Sequence, residues 1–183
     1  LPGILRGCPQ KVTLIQIDAH ADLRDELDGE PYSHACAIAR SLDEGALAVH
    51  QVGIRAYCRQ EMDLINNDDR IHTWFAKDVM SPCTGAKAWA EWLESLTRIT
   101  GPVHLTIDID GLDGSLVPAT GTPVPGGLSF WHVVQTIEAV FAICKVVSAD
   151  VNEIVSQGDT PLTEFTAAMI ATKVAAAHIA SLR

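Results

Sequence analysis

The chain has 183 residues, of which 48% are hydrophobic, so a single domain over residues 1–183 with a substantial apolar core is expected. Its formal net charge of −10 argues against nucleic acid or an anionic membrane as a partner and suits a site that attracts a cation. The five cysteines form no Cys-x-x-Cys pair, which predicts reduced thiols in a cytoplasmic protein, and no apolar run has the length of a membrane span.

Short apolar runs alternate along the chain with segments of helical periodicity. Residues 1–10 are predicted to be a loop, and the predicted strands cover residues 12–17, 47–54, 71–75, 104–110 and 145–151. The predicted helices cover residues 34–43, 86–99 and 130–143, and a last helix opens at Thr160 and Pro161. Residues 111–128 form a long loop rich in Gly, Pro and Thr, and such loops are usually functional. This alternation predicts a three-layer α/β/α fold with a mostly parallel sheet.

The first predicted strand ends in three residues that can bind a metal, Asp18, His20 and Asp22. In an extended chain Asp18 and Asp22 would lie about 13 Å apart, so the chain is expected to turn after His20 and bring Asp22 back toward the same point. A single Asp-x-His-x-Asp pattern is also compatible with a solvated strand end, so by itself it leaves both interpretations open.

The fourth predicted strand has the same design, because it ends in Asp108 and Asp110. Together the two strand ends supply four carboxylates and one imidazole at the edge where parallel sheets place their sites. Two carboxylates roughly 4 Å apart repel by about 4 kcal/mol at an effective dielectric constant near 20, so their convergence requires cations or protonation. Carboxylate-rich ligation favours Mg²⁺ or Mn²⁺ over structural Zn²⁺, and acids shared between two ions are typical of two-metal hydrolytic sites.

Taken in order with the segments that follow them, these motifs resemble the ureohydrolase family, which includes arginase and agmatinase. The matching segments are Asp18-Ala-His20-Ala-Asp22, Ser33-His34-Ala35-Cys36, Asp108-Ile-Asp110-Gly-Leu-Asp113, the Thr-Gly-Thr-Pro loop between Pro118 and Ser129, and Asp150-Val-Asn-Glu153. The segment Asp-Ala-His-Ala-Asp-Leu-Arg-Asp, together with Tyr32-Ser33-His34-Ala35, looks most like agmatinases. The resemblance therefore implies hydrolysis of agmatine to putrescine and urea at a pair of manganese ions.

The resemblance also implies a role for each matching residue. The expected ligands of two Mn²⁺ ions are Asp18, His20, Asp22, Asp108 and Asp110. Asp18 and Asp108 are expected to bridge the ions, which would make hydroxide available from a bridging water near neutral pH. His34 is expected to transfer a proton, Glu153 to hold the planar guanidinium through two parallel hydrogen bonds, and Thr122 to line the site. Without the resemblance, His34 would be interpreted as a turn residue and Glu153 as a surface acid.

One part of the family pattern is missing from the chain. The family normally supplies another metal ligand, a His in a Gly-Gly-Asp-His turn, and no His precedes His20 here. The chain therefore looks like the C-terminal part of a ureohydrolase without the N-terminal strands. One of the two ions is expected to lack its usual imidazole ligand and to bind weakly.

The residues leave three functional hypotheses. The first is a homo-oligomeric, manganese-dependent enzyme that hydrolyses a small cationic guanidino substrate, agmatine first, and its near neighbour is guanidinobutyrate or formimidoylglutamate hydrolysis with the same metals and a different tail pocket. The second is a folded but non-catalytic remnant, or an oligomerisation partner of a full-length relative. The third is a metal-dependent deacetylase, which the Thr-Gly-Thr-Pro loop and Glu153 disfavour.

Overall fold

The computed structural model describes residues 1–156 and 161–182. In these residues all pairs between strands are parallel, and the sheet order is β3-β2-β1-β4-β5. The strands are β1 (Thr13–Ile17), β2 (Val49–Ile54), β3 (Ile71–Phe75), β4 (Pro102–Asp108) and β5 (Lys145–Asn152). The chain starts at the centre of the sheet, adds β2 and β3 on one side and then adds β4 and β5 on the other. The topological switch point, where open α/β sheets place their sites, is therefore between β1 and β4.

Helices cover both faces of this sheet. They are α1 (Pro2–Gly7), α2 (Ala37–Asp43), α3 (Arg59–Asn67), α4 (Ala76–Val79), α5 (Gly85–Leu96), α6 (Phe130–Ile143) and α7 (Leu162–Ser181). Apolar residues of α5, α6 and α7 pack on one face around Trp92 and Ile107, and those of α1, α2 and α3 pack on the other around Leu14. The predicted three-layer α/β/α fold is thus confirmed. No helix in the described part of the chain combines the length and apolarity that a membrane crossing requires.

All five strands lie within two residues of their predicted bounds, and the fourth is shifted by two residues at both ends. The prediction carried this strand to Asp110, but β4 ends at Asp108 and Asp110 lies in a 3-10 turn, Ile109–Gly111. Similarly, the helix predicted from His34 begins as a 3-10 turn, His34–Cys36, before α2. Strand pairing ends at Asp108, and the 3-10 turn that follows places Gly111 against the backbone of Asp18.

The sequence prediction missed the three short helices α1, α3 and α4. The first turn of α1 contains Pro2, which a helix tolerates there because that N–H has no intrahelical partner. At the start of α3, Glu61 accepts the backbone N–H of Cys58 at 2.7 Å, which replaces the usual polar cap. By contrast, the predicted cap of α6 is present, since the Ser129 side chain accepts the backbone N–H of His132. Thr160, the predicted cap of α7, lies outside the described residues.

Candidate metal centre

The predicted metal ligands lie at the carboxyl ends of β1 and β4, the neighbouring strands at the switch point. Asp18 directly follows β1, and Asp108 is the last residue of β4. Because Ile17 pairs with Ile107 in the sheet, these two acids leave their strands side by side. The topology therefore joins two acidic motifs that are distant in sequence.

The chain turns after His20, and the turn places Asp22 in an unusual backbone conformation. Asp22 has a φ of 55°, in the left-handed region that residues other than glycine adopt infrequently. Its carbonyl accepts the backbone N–H groups of Ile38 and Ala39 at 3.0 and 3.1 Å, at the start of α2. These two hydrogen bonds anchor the turn, and the Asp22 side chain returns toward Asp18.

Ligand atoms converge in two groups, in each of which all atoms lie within 4.8 Å of one another. Asp18, His20 and Asp110 form the first group, and Asp18, Asp22 and Asp108 form the second. Asp18 belongs to both groups, the arrangement that an acid shared between two ions requires. Asp108 belongs to the second group alone, and its bridging role stays a prediction.

The first group is ordered by short contacts that involve both its side chains and its backbone. His20 Nδ1 lies 3.2 Å from Asp110 Oδ2 and 3.5 Å from Asp18 Oδ1. Asp18 Oδ1 also accepts the backbone N–H of His20 at 2.7 Å, and Asp110 Oδ1 accepts that of Ala19 at 3.3 Å. Both carboxylates are buried, with Asp18 1% and Asp110 2% exposed. The imidazole therefore lies between two carboxylates that water hardly reaches.

Two glycines allow the surrounding backbone to approach Asp18 this closely. A Cβ atom at Gly111 would lie 2.8 Å from the Asp18 nitrogen, and one at Gly53 would lie 2.9 Å from the Asp18 carbonyl oxygen. Gly53 also has a φ of 97°, which disfavours other residues. Side chains at these positions would therefore displace the backbone that carries the candidate ligand.

Burial and mutual repulsion oppose ionisation of the acids in this cluster. Burial raises the pKa of Asp18 to about 6. Hydrogen bonding to His20 opposes this shift, and the charge of Asp110 reinforces it. Burial and the charges of Asp18 and Asp110 raise the pKa of Asp108 to about 9, and burial with nearby acids raises the pKa of Asp22 well above its usual range. Hydrogen bonds to Asp110 and Asp18 raise the pKa of His20 to about 10. One imidazolium against four acids leaves the cluster short of positive charge, which divalent cations could supply.

The donor atoms fit hard divalent cations. Carboxylate oxygens dominate both groups, and no cysteine of the described residues belongs to either one. This chemistry suits Mn²⁺ or Mg²⁺ better than a structural Zn²⁺ ion. The second group contains carboxylates alone, so His20 is the one imidazole that the two groups have within the described ranges.

A cleft of about 420 Å³ opens onto this cluster. The predicted site residues among those that line it are His20, Asp22, His34, Asp108, Asp110, Thr122 and Glu153. Asp18 is not part of the lining and is buried. The structure therefore brings the residues predicted to contact substrate to the same cleft as the predicted ligands, while their roles stay predictions.

Glu153 and the loop that carries Thr122 lie next to each other at this cleft. Glu153 follows β5 with a φ of 60°, so it is a second predicted site residue in the left-handed region. Its Oε2 atom would lie 3.6 Å from a Cβ atom built on Gly121. The backbone at position 121 therefore lies close beside the carboxylate, and Thr122 and His34 are exposed in the same cleft.

Arg55 is a residue of the site that the sequence analysis did not identify. Its guanidinium donates to the backbone carbonyls of Gly53, Asp110, Gly111, Leu112 and Val124 at distances between 2.7 and 3.3 Å. These hydrogen bonds join the turn that carries Asp110 to the loop that carries Thr122. The Gly-Ile-Arg sequence at the end of β2 was visible, but nothing local identified its acceptors.

Asp113, the last acid of the second motif, has a different function from its neighbours. Its carboxylate accepts the Ser115 hydroxyl at 2.6 Å and the backbone N–H groups of Gly126 and Gly127 at 2.8 and 3.1 Å. The hydrogen bonds from Ser115, followed by those from the two glycines, hold the pKa of Asp113 down at about 2. Asp113 therefore shapes the long loop and does not belong to either ligand group.

Fold and site together define an α/β protein with a candidate two-ion metal centre at the switch point of its sheet. The family model described as "Arginase family" matches residues 1–177. The N(1)-aminopropylagmatine ureohydrolase of Synechocystis sp. is 34% identical over 171 residues, which are 92% of this chain and 53% of that protein. The agmatinase of Pyrococcus horikoshii is 35% identical over 156 residues, 85% of this chain and 52% of that protein.

A solved structure has the same fold. The agmatine ureohydrolase of Thermoplasma volcanium superposes with a TM-score of 0.81 at 29% identity, covering 97% of this chain and 58% of that one. The chain belongs to the arginase family, which confirms the resemblance inferred from its motifs. It spans about half the length of the curated relatives it matches.

Proposed function

We propose that the chain carries the centre of a manganese-dependent hydrolase that cleaves a linear guanidino compound into urea and an amine, with agmatine as the first candidate substrate. The observation that carries this proposal is the convergence of two ligand groups, sharing Asp18, at the cleft that Glu153, His34 and Thr122 line. The names of the Synechocystis and Pyrococcus relatives support agmatine or its aminopropyl derivative.

The two ligand groups would hold one ion each. Asp18, His20 and Asp110 would hold the first, and Asp18 would share the second with Asp22 and Asp108. When bound, the ions would supply activated water for attack on the guanidino carbon. The protein would contribute a buried, pre-ordered set of acids, whose positions the turn after His20 and the end of β4 fix.

Glu153 would bind and orient the substrate. A guanidinium is a planar cation, and a carboxylate can accept two parallel N–H hydrogen bonds from it. The left-handed backbone of Glu153 supports this function, because such conformations persist where the surrounding structure enforces them and cluster at functional sites. The net charge of −10 would also favour the approach of a cationic substrate.

His34 and Thr122 would complete the polar wall of the cleft. His34 is exposed in its 3-10 turn and can reach solvent, and an imidazole is the commonest side chain for proton transfer to a leaving amine. Thr122 offers a hydroxyl that can both donate and accept a hydrogen bond. Neither residue needs to move from another part of the fold, because both already line the cleft.

The test combines metal counting with a urea assay on the purified chain. We expect up to two Mn²⁺ ions per chain by mass spectrometry, urea from agmatine in preference to N(1)-aminopropylagmatine, guanidinobutyrate and arginine, and no formamide from formimidoylglutamate. Glu153→Gln should lower kcat/KM roughly 100-fold or more while metal content is unchanged, because the charge that pairs with the guanidinium is lost. Glu138→Gln, on the exposed side of α6, is the matched control and should leave both measurements unchanged.

Each other result selects a different hypothesis. Metal uptake with urea from another guanidino compound of the panel, or with formamide from formimidoylglutamate, would move the assignment to a related amidinohydrolase. Metal uptake without either product, or no metal uptake, would favour the non-catalytic remnant or oligomerisation partner. Homo-oligomer formation and a cytoplasmic location remain proposals, and sedimentation velocity on the same sample tests the first of them.

A further inference from the structure

A row of polar side chains crosses the sheet two residues before the candidate ligands. Thr73, Gln51 and Gln16 pair in register on β3, β2 and β1, and Thr106 and Asp150 continue the row on β4 and β5. Gln51 is 0% exposed and Gln16 is 2% exposed. Strands with both faces covered are normally apolar, and a buried amide is unfavourable unless it is hydrogen-bonded. Core packing therefore does not explain why two glutamines are buried here.

The first three residues of the row form one directed chain of hydrogen bonds that ends on Asp18. Thr73 Oγ1 donates to Gln51 Oε1 at 2.9 Å, Gln51 Nε2 donates to Gln16 Oε1, and Gln16 Nε2 donates to Asp18 Oδ2 at 2.7 Å. Each bond lies between neighbouring strands or between a strand and its own end. The chain thus connects the edge strand β3 to the acid that both ligand groups share.

Backbone carbonyls fix the direction of this hydrogen-bond chain. Gln51 Nε2 also donates to the carbonyl of Ala21 at 2.9 Å, and Gln16 Nε2 also donates to the carbonyl of His20 at 3.4 Å. A carbonyl can only accept, so each amide must direct its NH2 group toward the turn and its oxygen toward β3. The Gln16 amide therefore presents its N–H donor, and not its oxygen, to the Asp18 carboxylate.

We propose that Gln16 and Gln51 are positioning residues of the metal centre, which orient the Asp18 carboxylate and hold the turn that returns Asp22 to it. This inference rests on the proposed metal centre and names residues that serve it without contacting substrate. The same two NH2 groups bind Asp18 and the carbonyls of His20 and Ala21, so one network fixes a ligand and the turn between two ligands. The Asp18 carboxylate is held from its other side as well, because its Oδ1 accepts the N–H of His20.

The experiment measures Mn²⁺ affinity of the purified chain by titration calorimetry after metal removal. Gln16→Met keeps the length of the side chain and removes the donor to Asp18, and we expect its Kd for Mn²⁺ to rise about 10–100-fold, as for other groups that orient ligands. Gln51→Met does not touch Asp18 but should still raise the Kd about 10-fold, because the Gln16 amide loses its orienting donor. Thr73→Val should give a smaller increase in the same direction.

Val49→Ala is the matched control, because Val49 is a fully buried residue on the same strand as Gln51 and outside the hydrogen-bond chain. It should lower thermal stability while the Kd for Mn²⁺ stays within a factor of about three, which separates general destabilisation from positioning. Circular dichroism establishes that each variant is folded. Thr73→Val, the mildest change, provides the comparison if a glutamine variant does not fold.

The outcomes separate this inference from the proposed function. A Kd that increases from Thr73→Val through Gln51→Met to Gln16→Met, with no change in Val49→Ala, supports the positioning role. Folded variants that bind Mn²⁺ as tightly as the wild-type chain overturn it and leave the metal centre intact. A wild-type chain that binds no Mn²⁺ overturns the metal centre and the positioning role together.

Discussion

Replacing Asp108 by Asn should stabilise the metal-free chain and reduce its response to Mn²⁺. Asp108 lies in a group whose ligand atoms are all within 4.8 Å, together with Asp18 and Asp22. If two of these acids were charged they would repel by roughly 3 kcal/mol at this separation at an effective dielectric constant near 20, so the folded chain keeps Asp108 protonated and loses stability relative to the unfolded chain, in which Asp108 ionises. Asn preserves the shape of the side chain, and its amide oxygen can still accept from Asn152 Nδ2, which lies 3.3 Å from Asp108 Oδ1. We therefore expect the free energy of unfolding without metal to increase by about 2–4 kcal/mol at pH 8.

The pH dependence of this gain follows from proton linkage. Burial and the charges of Asp18 and Asp110 raise the pKa of Asp108 from 3.8 to about 9. Between these values the unfolded chain has lost a proton that the folded chain keeps, so the wild-type chain becomes less stable as the pH rises. The Asn variant lacks this group. Its advantage should therefore appear above pH 4 and stop growing near pH 9.

Urea denaturation in EDTA and in excess Mn²⁺ provides the assay. At a metal concentration of 100 times Kd, an occupied site should stabilise the wild-type chain by about 2.7 kcal/mol. The variant should lose most of the contribution of the second group, which has lost a ligand, while Asp18, His20 and Asp110 keep that of the first. Asp69→Asn, at an exposed acid outside both ligand groups, is the matched control and should change neither measurement. An Asp108→Asn variant that is no more stable than the wild-type chain in EDTA at pH 8 would refute the electrostatic argument.

Two other predictions concern residues outside the ligand groups. Arg55→Met should destabilise the chain by about 2–4 kcal/mol and weaken Mn²⁺ binding, because five backbone carbonyls lose their donor. Thermal unfolding and calorimetry measure these two effects. Arg98→Met, at an exposed ion pair, is the control, and equal effects of the two substitutions would contradict the prediction. Burial lowers the pKa of His50 to about 4, with a further contribution from the charge of His72. Below pH 6.5 the unfolded chain therefore binds more protons than the folded chain, and the free energy of unfolding falls as the pH falls. His50→Gln should flatten the stability curve between pH 4 and pH 6.5 by about 2 kcal/mol, and an unchanged slope would count against the assignment.

The sequence contained much of the fold and the ligand chemistry because both depend on local patterns. A β-branched run followed by Asp18, His20 and Asp22 shows where β1 ends and which atoms it presents. The alternation of strands with amphipathic segments such as α5 was sufficient to predict layers on both faces of a parallel sheet. The cap at Ser129 was also visible, since it requires only an interaction between a side chain and the first turn of its own helix.

Tertiary structure alone decided which of these residues meet. The position of β4 beside β1 places Asp108 next to Asp18, and a different strand order would have left the two acidic motifs apart. The 3-10 turn after Asp108, which the local pattern did not predict, packs its Gly111 closely against Asp18. Similarly, the acceptors of Arg55 lie on three separate segments, and no local preference of the Arg indicates them.

Gln16 and Gln51 illustrate the difference between what the sequence indicates and what only the tertiary structure shows. In sequence each is a single polar residue within an apolar strand, a pattern that indicates neither a partner nor a direction. The sheet register pairs Gln16 with Gln51 and Gln51 with Thr73, and the carbonyls of the turn then fix the direction of both amides. Local sequence determined which donors and acceptors exist, because that depends on residue type. Their pairing depends on register and crossover connections, which are set only when distant strands pack together.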